Sequence, residues 1–297
     1  MRFSVWPGPH QPWADVLALA EHAERTSWDG VWFADHFMPN TDEASGDTLE
    51  CWTVLAALAA QVPRVRLGSL VCGNTYRHPP VLAKMAATVD VISGGRLVLG
   101  IGAGWQQNEH RKYGIPLFDV RERLARLEES CRIIKALTTQ RRTSFRGRYY
   151  RLEDAPLEPK PVQQPLPLLV GGGGEKVTLR IAAAHADEWN TWGDPAVLRH
   201  KIGVLHRHCE KSGRDPAEIR ISAQALVSFK ETSALDEGMR WRFVTGPPEA
   251  LVEVMGAYAE AGVDEFIVPD FNLGTGAQRQ EVVDRFFEQV ALPFINA

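Results

Sequence analysis

Cysteine is scarce in this chain, and its scarcity removes two classes of protein at once. Cys51, Cys72, Cys131 and Cys209 stand far apart among 297 residues. With no C-x-x-C pair, neither a disulfide framework nor a thiolate zinc cluster is spelled out. Long apolar runs are also missing. The nearest approach, residues 54–60, is short and alanine-rich, well under the roughly 20 residues that cross a bilayer. Nor is there an excess of positive charge. The formal net charge is -4 and arginines are interleaved with acids, as in residues 119–129, so no cationic face for nucleic acid is implied. The first residues lack the apolar core of a secretory leader. The expectation is a soluble cytoplasmic protein acting on a small molecule, with no nucleic-acid or membrane partner.

What the chain does have is a regular rhythm. Strands are expected at residues 3–5, 31–34, 65–71, 97–101, 168–170, 188–191, 219–225 and 265–268. Helices are expected at 12–26, 52–61, 81–92, from 119 onward, 175–185, 195–212, 247–261 and 278–290. The unbroken apolar character of 97–101 suits a parallel strand buried on both faces. Asp119 with Glu122 makes a capping box. Eight such units predict an α/β fold, one closed (β/α)8 TIM barrel over residues 1–297. An open doubly wound sheet fits less well, because no composition shift marks off a second domain. Insertions are expected after strands 2, 4 and 7: residues 37–51, 138–167 with a hairpin-like 143–151, and 230–242.

In barrels of this kind the working residues sit at the C-terminal ends of the strands. The second strand runs into Asp35 and His36, the third into Cys72-Gly73-Asn74-Thr75, and the fourth into Gly102-Ala103-Gly104-Trp105-Gln106. The fifth leads to Gly171, Gly172, Gly173 and Gly174, the sixth to Asn190-Thr191-Trp192, the seventh to Gln224 and the eighth to Asp270. Four glycines opening a helix expose backbone N–H groups, which suits a phosphate; a plain turn needs only one or two. The run is no Walker loop, since no Gly-Lys-Ser/Thr closes it, and no Rossmann fingerprint. His36 is the acid–base candidate, because imidazole titrates nearest neutrality. Asp35 is a second catalytic candidate, although neighbouring strand residues face opposite ways and a turn cap would explain it equally. Gly102 and Gly104 let something flat approach the backbone, with Trp105 and Trp192 as pocket walls. His78, His110 and His185 have no partner at metal spacing, and no metal is expected.

The ordered series of segments resembles the bacterial luciferase-like superfamily, in the branch that depends on the deazaflavin coenzyme F420. It runs from Trp32-Phe33-Ala34-Asp35-His36-Phe37 through Leu67-Gly68-Ser69-Leu70-Val71, Thr75-Tyr76-Arg77-His78-Pro79 and Ala83-Lys84-Met85-Ala86-Ala87-Thr88-Val89-Asp90. It continues with Ser93-Gly94-Gly95-Arg96-Leu97, Gly100-Ile101-Gly102-Ala103-Gly104-Trp105, Gly171 to Lys176 with Thr178-Leu179, and Ala186-Asp187-Glu188-Trp189-Asn190. The resemblance implies a luciferase-like barrel with F420 across its mouth, FMN being the alternative, and the cofactor phosphate at the four glycines. It implies a non-prolyl cis peptide at Leu70–Val71, or failing that at Ser69–Leu70, bulging behind the ring. Cys72 and Asn74 would border the ring, with a lining role for Cys72 preferred over a thiol nucleophile. Asn190 and Thr191 would bound the other side, and Lys176 and Arg77 would meet the acidic tail.

The implied reaction is hydride transfer between the ring and a C=C, C=N or C=O substrate, His36 giving or taking the proton. An FMN-dependent monooxygenase and a non-catalytic flavin-binding barrel are the alternatives. A homodimer is expected by the same resemblance. One departure matters. The sugar-phosphate and alcohol dehydrogenase branches carry a glutamate just after the Gly-x-Gly of the fourth strand, where this chain has Trp105, followed by Gln106 and Gln107. A bulkier or more apolar substrate is therefore expected.

Overall fold

The structure, a computed structural model, describes residues 1–41, 45–230 and 239–295. Eight parallel strands carry it: β1 (Arg2–Trp6), β2 (Gly30–Phe33), β3 (Arg66–Ser69), β4 (Leu97–Gly102), β5 (Leu168–Gly171), β6 (Glu188–Trp192), β7 (Arg220–Gln224) and β8 (Glu265–Pro269). They lie in the order β3-β2-β1-β8-β7-β6-β5-β4. Leu67 and Gly68 of β3 also pair with Leu97 and Val98 of β4, which closes the cylinder. The short pair Cys72–Gly73 prolongs the third strand beside Ile101 and Gly102. The expected (β/α)8 barrel is thus the fold observed.

The helices wrapping it are α1 (Trp13–Arg25), α2 (Cys51–Gln61), α3 (Pro79–Ser93), α4 (Gln107–Tyr113), α5 (Val120–Thr139), α6 (Thr178–His185), α7 (Pro195–Ser212), α8 (Pro248–Glu260) and α9 (Gly276–Phe286). Asp119 caps α5, accepting from the backbone N–H of Glu122 at 2.8 Å, as the capping box predicts. The sequence pattern starts α6 too early, because residues 175–177 form a turn. It misses α4 altogether. The insertions follow strands 2, 4 and 7; residues 42–44 of the first lie outside the described residues. The hairpin after the fourth unit pairs Thr143–Arg146 with Arg151–Ala155. After β7, Leu226–Ser228 pairs with Phe243–Thr245; residues 231–238 of the expected loop lie outside the described residues.

Strand alternation separates two apolar layers. Phe3, Val5, Val31 and Phe33 face the helices in the large outer core. Trp6, Trp32, Ala34, Leu70, Val98, Leu169 and Ile267 form a smaller cluster filling the cylinder. The lower end of the cylinder is charged. Arg66 donates to Glu265 at 3.0 Å and also to Glu188, while the Trp32 indole donates to Glu265 at 2.7 Å. All three charged partners are first residues of their strands, so this network sits at the end opposite the mouth.

Trp32 fills the interior only because Gly68 has no side chain: a Cβ there would stand 2.3 Å from the indole Cζ3. Gly68→Ala should therefore destabilise the fold by about 1–3 kcal/mol through overpacking. Gly256 of α8, with nothing within 4 Å of a built Cβ, should instead tolerate alanine and gain up to about 1 kcal/mol. Urea midpoints of the two variants should move in opposite directions.

Candidate active site

The mouth of the barrel is organised around a carboxylate that the sequence pattern does not reveal. Glu109, on α4, is fully buried. Its Oε1 accepts from His36 Nδ1 at 2.9 Å and from the Tyr76 hydroxyl, and its Oε2 accepts from the backbone N–H of Phe37 at 2.8 Å. Burial pushes its acid up, but hydrogen bonds from His36, Phe37 and Tyr76 outweigh that and hold it below the ordinary glutamate value. An ionised carboxylate only accepts, so each of its three partners donates. His36 then carries its proton on Nδ1, and Nε2 is the ring atom that remains for chemistry.

Local structure explains the placement. His36 continues the inward parity of Trp32 and Ala34, and Asp35 falls on the opposite face. Gly114 stops α4 in the left-handed conformation, φ 68°. The Gln106 amide donates to Met38 O at 2.9 Å and Asn108 to Pro39 O at 2.8 Å, tying the segment after β2 to α4. His110 is a structural residue, as expected: its Nδ1 donates to Gln106 O at 2.6 Å, and its Nε2 meets Thr75 Oγ1 at 2.6 Å. Trp105 stands edge-on to His36, ring centroids 5.5 Å apart, and is 59% exposed.

Three expected site residues are placed elsewhere. Asp35 is buried and bound two-pronged by Arg77 at 2.7 and 3.0 Å. That makes it an anchor of the strand end, in place of the catalytic part expected of it. Arg77 also pairs with Glu50 at 2.6 Å, so two carboxylates already balance its charge. Cys72 is fully buried in the outer core, its sulfur accepting from the Trp52 indole at 3.1 Å. It reaches the mouth through its backbone alone, and a thiol nucleophile there is excluded by its position.

The peptide Leu70–Val71 is cis, at the position the resemblance implied. Val71 lies against glycines: a Cβ on Gly102 would stand 2.9 Å from it and one on Gly171 2.8 Å. Those two glycines therefore make room for Val71. Gly104 has φ +83°, and its Cβ would meet Thr75 Oγ1 at 2.8 Å. The remaining glycines of the four-residue run make a walled cradle. A Cβ on Gly173 would come within 3.0 Å of Thr191 Oγ1 and 3.3 Å of the Lys201 side chain, and one on Gly174 within 2.8 Å of Thr178 Oγ1. Two hydroxyls and an ammonium thus surround bare backbone beside the start of α6, a donor set that fits a phosphate. Lys201, which the pattern did not single out, donates to Gly173 O at 2.7 Å and to Glu175 Oε1 at 3.3 Å, whereas Lys176 is exposed. The Asn74 amide nitrogen is buried with no protein partner among the described residues. Asn190 is committed to Ser222 Oγ at 3.0 Å and Gln224 at 2.7 Å across the barrel wall, which leaves Thr191 as the β6 residue at the cradle.

Among the described residues no group of His, Cys, Asp and Glu could hold a metal ion. A hollow of about 530 Å³ lies at the other end of the barrel, lined by Arg2, Asp29, Glu188 and Glu265 among others. That end of a barrel answers to stability.

The lowered Glu109 acid has a consequence for stability. A carboxyl depressed on folding contributes fully above its unfolded value, near 4.5, and the contribution is lost as pH falls through the folded value. Glu109→Gln should cost about 1–3 kcal/mol at neutral pH. It should also flatten the loss of stability between about pH 5 and pH 3. Urea midpoints that fall in parallel for both proteins would contradict the assignment.

Residues 1–235 match the family model described as luciferase-like monooxygenase. A protein of Amycolatopsis mediterranei named F420-dependent glucose-6-phosphate dehydrogenase is 37% identical over 323 residues, covering 95% of this chain and 95% of its own length. A protein of the same name from Kineococcus radiotolerans is 36% identical over 219 residues; the match covers 73% of this chain and 64% of that relative, just under two thirds of its length. Among solved structures, the coenzyme F420 dependent tetrahydromethanopterin reductase of Methanopyrus kandleri superposes with a TM-score of 0.85 at 18% identity, over 99% of both chains. A monooxygenase of Streptomyces bottropensis gives a TM-score of 0.79 at 21% identity, covering 99% of this chain and 100% of its own. At these identities the likeness is one of fold.

Proposed function

The chain belongs to the luciferase-like monooxygenase family, and from that premise we propose that it is an F420-dependent oxidoreductase passing hydride between the deazaflavin and a small organic substrate. The observation that carries the reading is the pairing of two features at one end of a parallel barrel. One is a bare-backbone cradle ringed by Thr178, Thr191 and Lys201; the other is a histidine held by a buried carboxylate. The names of the relatives point to F420 in preference to FMN.

When bound, F420 supplies a two-electron hydride carrier that does not readily add oxygen. The cradle amides and Lys201 would hold its phosphate, with Val71 behind the ring and the Asn74 amide offering a donor. Glu109 fixes the His36 ring and stabilises its positive charge, so that Nε2 accepts a proton in the oxidative direction and delivers one in the reductive direction. The substrate is a C=C, C=N or C=O compound or its reduced partner. Glucose 6-phosphate is not carried over from the relatives, because Trp105 occupies the position where the resemblance places an acidic residue.

Titration of the purified protein with F420 and FMN, each oxidised and reduced, tests the cofactor; tight FMN binding with indifference to F420 would overturn the proposal. His36→Ala should leave F420 binding largely intact while slowing reduction of an enone probe such as cyclohexenone by about 10²–10⁴-fold. Loss of cofactor binding in that variant would make His36 a ligand instead. Lys201→Ala should weaken F420 by about tenfold without changing the urea midpoint.

A further inference from the structure

We propose that the β1–β6 side of the mouth is a substrate subsite for a planar, conjugated organic anion, an aryl carboxylate by class, and not for a sugar phosphate. The inference rests on the redox reading above and names what that site takes.

Trp6 ends β1 and Trp192 ends β6, and their ring centroids are 6.0 Å apart at 44°. Phe271, just after β8, meets Trp6 edge-on at 5.1 Å, and Trp241 meets Trp192 edge-on at 6.3 Å. The four rings form a continuous aromatic row along the mouth. Its outer members, Phe271 and Trp241, are each 50% exposed. A row serving only the core would bury its ends, and large apolar rings left half in water around a concave site mark a place where a ligand completes the packing.

Two donors in this row lack acceptors. The Trp6 indole N–H belongs to a residue only 7% exposed, yet has no partner among the described residues, while the Trp32 indole below it is satisfied by Glu265. A buried donor left unmet is costly, so an acceptor brought by a ligand recovers that cost. Arg242 lies over both the Trp192 and Trp241 rings, at 5.3 and 5.0 Å. Its Nε is buried without a partner, and no carboxylate among the described residues forms an ion pair with it. Asp270, the acid at the end of β8, is committed to Arg279, Gln11 and the backbone N–H of Gly8. A flat apolar surface, together with an indole N–H and a guanidinium that both lack a partner among the described residues, describes a planar anion. The hydroxyls of a sugar would find few polar partners on such a wall.

Calorimetry on the cofactor-loaded protein with cinnamate, cyclohexanecarboxylate and glucose 6-phosphate tests this. Cinnamate has plane and charge, the second compound has charge without plane, and the third is a sugar phosphate. Cinnamate should bind at least about tenfold more tightly than either. Trp6→Phe, which keeps a ring and removes the N–H, and Arg242→Gln should each weaken cinnamate by about tenfold, about 1.4 kcal/mol, with cofactor Kd unchanged. Preference for glucose 6-phosphate, equal affinities, or indifference of cinnamate to both substitutions would overturn the subsite. The same titrations without cofactor separate the two readings. Binding of cinnamate that responds to Trp6→Phe while neither F420 nor FMN binds would retain the subsite and remove the redox assignment. Cofactor binding with no cinnamate response would do the reverse.

Discussion

The mouth depends on one buried carboxylate. Glu109 accepts from the His36 ring, the Phe37 backbone and the Tyr76 hydroxyl, and so joins the exit of β2, the segment after β3 and the helix after β4. A carboxylate taken out of water is costly unless its lone pairs are filled, and here three donors fill them. The same contacts that lower its acid also fix the histidine tautomer. One group therefore holds both backbone and ring: removing its charge would loosen the three segments it joins and free the imidazole together. Asp35 and Arg77 do parallel work on the outer face, where their two-pronged pair anchors the strand end without entering the mouth.

How far the sequence reveals this depends on the kind of signal. The barrel is legible because each strand is a short apolar run and each helix carries a periodic stripe, patterns that burial alone imposes. Helix α4 is not, since Gln107 to Tyr113 is polar and ends within two turns, so no stripe forms. With α4 hidden, Glu109 looks like another surface acid. Its only local signs are the glutamate–histidine pair itself and Gly114 as a helix stop. Lys201 escapes for a different reason: it projects from the middle of α7 to a cradle nearly 30 positions earlier, and spacing along the chain says nothing of that contact.

Glycine shows how one residue type answers several demands. Gly68 yields space to the Trp32 ring, while Gly102 and Gly171 yield it to Val71. Gly173 and Gly174 yield it to the hydroxyls and ammonium of the cradle. In sequence all of them look like backbone left open for a ligand. Only the identity of the nearest atom separates packing glycines from binding ones, and by that measure the four-glycine run divides in two. Gly171 belongs to the barrel wall, whereas the last two glycines belong to the cradle.

The two sides of the mouth differ in how much kinship can say about them. The cradle side is built mostly from backbone and small residues, to which a family resemblance carries over well. The aromatic side is built from side chains arriving on separate strands: Trp6 from β1, Trp192 from β6, Phe271 after β8, and Arg242 laid over two of the rings. Phe271 and Trp241, half exposed at the ends of that row, can change without disturbing the barrel or the cradle. A chain 37% identical to a sugar-phosphate dehydrogenase can therefore keep the cofactor chemistry and exchange the substrate. Trp105, edge-on to His36, adds a second aromatic surface at the mouth. A flat molecule passes between two aromatic surfaces more readily than a hydrated sugar, whose hydroxyls would lose water without gaining partners.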